Sequence, residues 1–326
     1  MEKINLREER DFGQKISATF LFLQQNFGPL FKSLLYYAGP VSLLAGVFMG
    51  LYQSLNLNAE DLAGRGDAFQ FLFESVFNIN YILALLLSTL SRVIVIGITF
   101  AYLAEYLENP REEIRPGAVW SRLGDNFLRL FFTSLAYVAG MFLVALVVGV
   151  ISSLSFFGTI PTDMDAILPR VFLVPLMGLL VIVPVIFFAV RFCLFPAVIF
   201  IEDKGGVASL KRSWKLVKGK WWSTFGLVIV ISIIVSIIGV AFQIPLLLIA
   251  FFKEILQWES GGSNQMIIIV ASVIGILGET MLYSIVNLAM GFQYFNLSER
   301  QESIGLMQEI DSLGRKAEFN SNEGDY

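Results

Sequence analysis

Apolar residues in this chain come in runs too long for a globular core, and the charges gather between the runs. The uncharged or nearly uncharged runs predict six membrane-spanning helices, near residues 30–52, 79–103, 129–151, 171–195, 222–244 and 266–292. A helix rises 1.5 Å per residue, so about 20 residues cross the ~30 Å hydrocarbon layer, and each run is long enough. The fifth run stays uncharged from Trp222 to Phe252 with Pro245 inside it. That is more than a crossing needs, and it predicts a tilt, a kink at Pro245 or an interfacial end. Near the start, Glu2, Glu8, Glu9 and Asp11 stand where a signal peptide would be apolar, so no cleaved signal is expected.

Before each odd-numbered run lies a segment with two aromatics seven residues apart: Phe20 and Phe27, Trp120 and Phe127, Trp214 and Trp221. Seven residues are two helical turns, so each pair shares a face. The order interfacial helix, span out, loop, span back then recurs three times, about a hundred residues apart. The predicted fold is an all-α integral membrane protein. Its six transmembrane helices form three hairpin-like repeats, each preceded by a cytoplasmic amphipathic interfacial helix. Residues 1–29 make a cytoplasmic arm and the first interfacial helix, 30–297 the membrane domain, and 298–326 a cytoplasmic tail. From Ser312 the tail is polar and expected to be disordered. Asn109-Pro110 fits an N-cap and first turn for the second interfacial helix.

The third interfacial segment is the clearest. Val207, Leu210, Trp214, Val217 and Trp221 recur at helical spacing as an apolar stripe, with Lys211, Arg212, Lys215, Lys218 and Lys220 around it. A helix of this kind lies in the headgroup layer, and its cations face anionic lipid. Orientation follows from the cations. Of 23 Lys and Arg, 18 fall in the N-terminal arm, the second and fourth connections and the tail, whereas the other side holds Arg65, Arg170 and Lys253. By the positive-inside rule both termini are cytoplasmic. The expected partners are membrane lipids, with anionic headgroups at the cytoplasmic face, and other membrane proteins.

Composition narrows the chemistry. Of 326 residues 56% are hydrophobic, mean hydropathy is +0.70, and the net charge of −4 gives no reason to expect nucleic acid. There is no histidine and one cysteine, Cys193. Imidazole metal sites, Ser-His-Asp and Cys-His catalysis and internal disulfides are therefore excluded, and neither metal nor cofactor is expected. The charges within runs are Arg92, Arg191 and Glu279, and Asn287 near the matching place in the third repeat is a further intramembrane polar candidate. A lone charge among lipid tails costs several kcal/mol, so these groups should pair or face water. One carboxylate between two guanidiniums reads either as a structural clamp or as a solute site. Gly46-x-x-x-Gly50, Ala136-x-x-x-Gly140, Ala145-x-x-x-Gly149 and Ala271-x-x-x-Gly275 would let helices approach closely.

One stretch carries a resemblance. It runs Pro196-Ala-Val-Ile-Phe-Ile-Glu202-Asp-Lys-Gly-Gly-Val-Ala-Ser-Leu210-Lys-Arg-Ser-Trp214-Lys-Leu-Val-Lys-Gly219-Lys-Trp221-Trp222. An acidic residue followed by an Ala/Ser-Leu-Lys-Arg-Ser-Trp-like basic helix before a span resembles the bacterial "glycerophosphoryl diester phosphodiesterase membrane domain" proteins and their uncharacterised relatives. The resemblance implies about six spans and a bacterial cytoplasmic (inner) membrane. It implies no activity, because such a phosphodiesterase needs a separate barrel with histidines and metal-binding carboxylates. The expected function is a non-enzymatic accessory or scaffold component of a membrane or envelope system. The alternatives are a transporter or channel for a small or amphiphilic solute, and then an intramembrane lipid-modifying enzyme.

Overall fold

The computed structural model describes residues 4–56, 76–109, 114–157, 167–256, 263–303 and 307, of which 56, 152–157, 167–177, 253–256 and 263–264 are described by their backbone alone. The tail from Ser312 lies outside the described residues, as does most of each connection on the acidic side. Among the described residues every regular element is helical: α1 Phe12–Tyr37, α2 Gly39–Asn56, α3 Ile79–Glu108, α4 Pro116–Phe157, α5 Ile167–Phe192, α6 Phe195–Ile201, α7 Gly206–Val217, α8 Trp221–Leu256 and α9 Ser263–Glu302. Five stretches are long and apolar enough to cross a membrane: Ile79–Glu108, Pro116–Ile151, Gly178–Ile201, Trp221–Phe252 and Gln265–Glu302. The pair α1 and α2, bent by 56°, makes a sixth when counted as one span.

The three segments expected to precede spans end differently, and backbone chemistry explains why. Pro40 has no N–H for the carbonyl of Tyr36, so α1 stops at Tyr37 and the chain bends into α2, inside the expected first span. Nothing comparable interrupts the second segment. With Pro116 in its first turn and no later proline, α4 runs unbroken for 42 residues, so Trp120 and Phe127 do not lie on a separate interfacial helix. Asn109 caps the end of α3, its N–H bonded to the carbonyl of Glu105, rather than the start of the next helix; Pro110 lies outside the described residues. Only the third segment forms a helix of its own. After α7, Gly219 takes φ +81°, a left-handed turn that glycine makes without strain.

The chain forms two compact units: Met1–Phe127 with Gly226–Tyr326, and Leu128–Phe225. In the first unit α2 and α9 cross with their backbones in contact. A Cβ at Gly46 would stand 2.6 Å from Val273 Cα, and one at Gly50 2.5 Å from Ile269 Cα. The expected Gly46/Gly50 pattern is therefore the α2–α9 crossing. Gly275 meets the side chain of Gln243 and Gly278 the ring of Phe242, which seats α8 on α9. By contrast, no described atom lies within 4 Å of a Cβ at Gly140 or Gly149, so neither glycine is a point of close approach among the described helices.

Packing in this unit is uneven along the helices. α3 is buried almost all round from Val93 to Tyr106, and α9 from Ser284 to Glu299. Their N-terminal halves expose Leu85, Leu86, Met266, Ile267, Val270 and Ile274. The difference comes from α1. Phe22, fully buried, packs edge-on to Tyr102, Tyr106 and Phe292, a burial that stabilises by about 1.5–3 kcal/mol. The N-terminal arm completes the cover. The N–H of Ile4 donates to Tyr106 Oη at 2.9 Å, the N–H of Arg10 to Asn296 Oδ1 at 2.8 Å, and buried Lys15 Nζ to Gln293 Oε1 at 2.7 Å. Arg10 is buried too, and burial pulls its pKa below the usual value against the opposing pull of Glu8.

Candidate functional site

Two ion pairs organise the polar residues singled out in the sequence. The first lies in the unit made by α2, α3 and α9. Arg92 stands on the exposed stripe of α3 with Leu85 and Thr89, at the point where the helix becomes fully buried. Its Nη2 donates to Glu279 Oε1 at 2.6 Å. The side chains are 54% and 56% exposed, and no further partner holds either among the described residues. Just behind, on the buried side, Ser42 and Ser91 share a hydroxyl hydrogen bond of 2.6 Å. Asn287, the third polar candidate of this unit, is buried and donates to the carbonyl of Tyr283 one turn back. It serves its own helix and does not extend the exposed polar surface.

Arg191 belongs to the other unit and has its own partners there. Pro196 has no N–H and clashes with the carbonyl four residues earlier, so α5 ends at Phe192 and α6 begins at Phe195. The broken turn leaves a carbonyl and an N–H exposed to one another's side, and Ser213 of α7 fills the gap. Its Oγ donates to the carbonyl of Arg191 at 2.9 Å and accepts from the N–H of Leu194 at 3.2 Å. Arg191 reaches back: Nη1 donates to the carbonyl of Trp214 at 3.3 Å, and the guanidinium stacks over the Trp214 ring at 4.6 Å and the Phe187 ring at 5.3 Å. Trp221 Nε1 donates to the carbonyl of Phe187 at 3.2 Å. Arg191 thus clamps α5 to α7.

The second ion pair lies at the α6–α7 corner. Glu202 caps α6, and Asp203 takes φ +49°, a left-handed conformation that Asp tolerates. Arg212 Nε donates to both Glu202 oxygens, at 3.0 and 3.2 Å, with side chains only 9% and 16% exposed. Lys204 joins the same carboxylate, and Arg129 of α4 donates to Asp203 Oδ1 at 2.6 Å. Gly206 is required here, because a Cβ would run into Thr133 Oγ1 of α4. The buried face of α7 is Ser209, Ser213, Leu216 and Val217. Val217 and half-buried Trp214 therefore turn toward protein, while Val207 at the other end of the expected stripe is 70% exposed. Lys211, Lys215, Lys218 and Lys220 are exposed.

Sequence reasoning had passed over Lys15, Arg10 and Ser213. The first two had been counted among topology-setting cations. Gln293 and Asn296, polar residues on α9 among apolar neighbours, were the signal that a polar partner had to come from elsewhere. Among the described residues no three His, Cys, Asp or Glu side chains gather as metal ligands would.

The region from the α1–α2 bend to the buried end of α9 also corresponds to a known sequence family. A domain of unknown function, DUF7847, matches residues 38–296. The chain belongs to the DUF7847 family. The match covers α2 to α9 with both ion pairs and leaves out the N-terminal arm and α1, which cover the packed end of the first unit. DUF7847 is an uncharacterised family, and the match does not show the phosphodiesterase membrane-domain relationship that the 196–222 stretch suggests. No curated protein and no solved structure matches the chain.

Proposed function

We propose that this DUF7847 protein is a non-enzymatic, six-span protein of the bacterial cytoplasmic membrane. In this reading both termini are cytoplasmic, and the protein acts as an accessory or scaffold component of a membrane or envelope system. The observation that carries the reading is the packed end of the first unit. There Ile4, Arg10 and Lys15 are hydrogen-bonded to Tyr106, Asn296 and Gln293, over halves of α3 and α9 that are buried almost all round. A filled, hydrogen-bonded end suits a protein that presents surfaces to partners better than one that opens and closes around a solute. The three-repeat organisation and the lipid-facing role of α7 belong to the same proposal.

The test is reconstitution of the purified full chain into vesicles, followed by assays of lipid hydrolysis and of release of trapped ions and small solutes. The expected result is neither turnover nor release, together with recovery of membrane-protein partners by crosslinking in native membranes. Turnover or solute movement by the chain alone would overturn it.

A second reading is favoured by one observation. Arg92 and Glu279 are more than half exposed although they sit midway along helices apolar enough to cross a membrane. Pairing meets part of the cost of charge at that depth, and an exposed pair is better served by water or a polar solute than by lipid tails. Were the protein a transporter, Glu279→Gln would abolish flux in those vesicles while leaving the fold intact.

A further inference from the structure

The cations of the α7 region divide into two classes. Arg212 and Lys204 are neutralised by Glu202, and Arg191 is held by Trp214 and Phe187. Lys211, Lys215, Lys218 and Lys220 are exposed, and none has an acidic partner among the described residues. Val207, Lys211 and Lys215 recur every fourth residue and share the face of α7 opposite Ser209, Ser213 and Leu216, which are buried. Lys218 and Lys220 follow in the turn, and Trp222, 77% exposed, opens α8. One buried face is spent on protein, and the other joins four unneutralised ammonium groups to an exposed valine and an exposed tryptophan.

We infer that this face is a docking surface for anionic phospholipid headgroups of the leaflet in which α8 begins. The occupant is set by chain continuity. The apolar stretch Trp221–Phe252 starts one residue after Lys220, so the lysines lie at the level where an apolar helix leaves the headgroups. At that boundary a tryptophan with its indole among the lipid carbonyls and lysines against phosphate oxygens is the stable arrangement. A soluble acidic partner would match the lysines but would leave the exposed surfaces of Trp222, 77% exposed although its ring also meets Trp221 and Phe225, and of Val207 in water. Lysines recognise phosphate as point charges, without the planar fit of arginine, so the surface should select charge rather than one particular headgroup.

The inference rests on reading α8 as a membrane span, and the experiment separates the two. Full-length protein is reconstituted into vesicles of phosphatidylcholine alone and of phosphatidylcholine with phosphatidylglycerol. Flotation is measured, and then the lipids retained by the protein after detergent exchange are quantified by mass spectrometry. Wild type should float with both vesicles and retain phosphatidylglycerol preferentially. The K211Q/K215Q/K218Q/K220Q variant, whose side chains support no packing, should keep its unfolding temperature and lose about tenfold or more of that preference. K204Q, with its charge already neutralised by Glu202, should behave as wild type. In brominated phosphatidylglycerol, wild-type tryptophan fluorescence should be quenched more than in brominated phosphatidylcholine, and W222F should lose most of the difference. Failure to float with either vesicle would sink the membrane reading itself and this inference with it. Flotation with no preference in wild type, or a preference kept by the quadruple variant, would overturn the inference alone. Displacement of the lipid by soluble polyglutamate would overturn it in favour of an acidic protein partner.

Discussion

Arg92–Glu279 and Arg212–Glu202 are chemically the same pair, a guanidinium on a carboxylate at 2.6 and 3.0 Å, in opposite surroundings. The first is over half exposed and stands in apolar sequence; the second is 9% and 16% exposed and stands in a segment with five lysines. A sequence makes a charge conspicuous by contrast with its neighbours, not by burial. Contrast pointed to Arg92 and Glu279, whereas the pair that carries structural weight was hidden in a basic segment that read as lipid-facing. A buried carboxylate that loses its partner, or a buried guanidinium that does, keeps the full desolvation penalty; an exposed one is rescued by solvent.

The largest expected effect follows from that asymmetry. Glu202→Ala takes away the carboxylate that both Arg212, its side chain only 9% exposed, and Lys204 hold. It should lower stability by about 3–5 kcal/mol, read as the unfolding midpoint of detergent-solubilised protein. Adding Arg212→Met should restore much of the loss, because a hydrophobic replacement of both partners removes the stranded charge. A loss below about 1 kcal/mol for Glu202→Ala would place this pair with the exposed class and dissolve the contrast.

Next comes a comparison of glycines within the same type of sequence pattern. Gly46→Leu must push a side chain into the backbone of Val273, which cannot rotate away, and should cost about 1–3 kcal/mol or more. Gly140→Leu enters open space and should stay within about 0.5 kcal/mol of wild type. Equal costs would mean that the α2–α9 crossing is not the tight contact described.

What was legible in the sequence, and what was not, follows the same line. Helices α3, α4, α8 and α9 were readable because twenty or more apolar residues in a row have few other fates. The bend at Ala38 was not, since Gly39-Pro40 sits inside an apolar run and hydropathy does not register a missing N–H. The unbroken course of α4 was missed for the converse reason: an amphipathic start followed by an apolar run looks like two elements, and only the lack of a breaker between Phe127 and Arg129 says otherwise. At the sites, the pairing of Glu279 with an arginine was within reach, because an isolated charge among apolar residues needs a counter-charge. Which partners Arg191 takes was not. They are a backbone carbonyl and two ring faces, and neither carries a charge that sequence could flag. Ser213 was invisible for a related reason: its role exists only because Pro196 breaks the helix, and the N–H it accepts, that of Leu194, lies nineteen residues away in sequence.

The smallest expected effect is the one the sequence made most prominent. Glu279→Gln removes the charge but keeps the shape, and Arg92, 54% exposed, can turn to solvent. In detergent solution the change should cost less than about 1 kcal/mol, and a double-mutant cycle with Arg92→Gln should give a coupling in the same range. A coupling as large as that expected of Glu202 and Arg212 would show that the pair is enclosed by something that excludes water. The transporter reading would then lose the exposure that favours it. A small coupling in stability, combined with unchanged vesicle permeability in Glu279→Gln, would leave the pair neither clamp nor conduit. Its exposed faces would then be the first place to look for a partner that binds within the apolar layer.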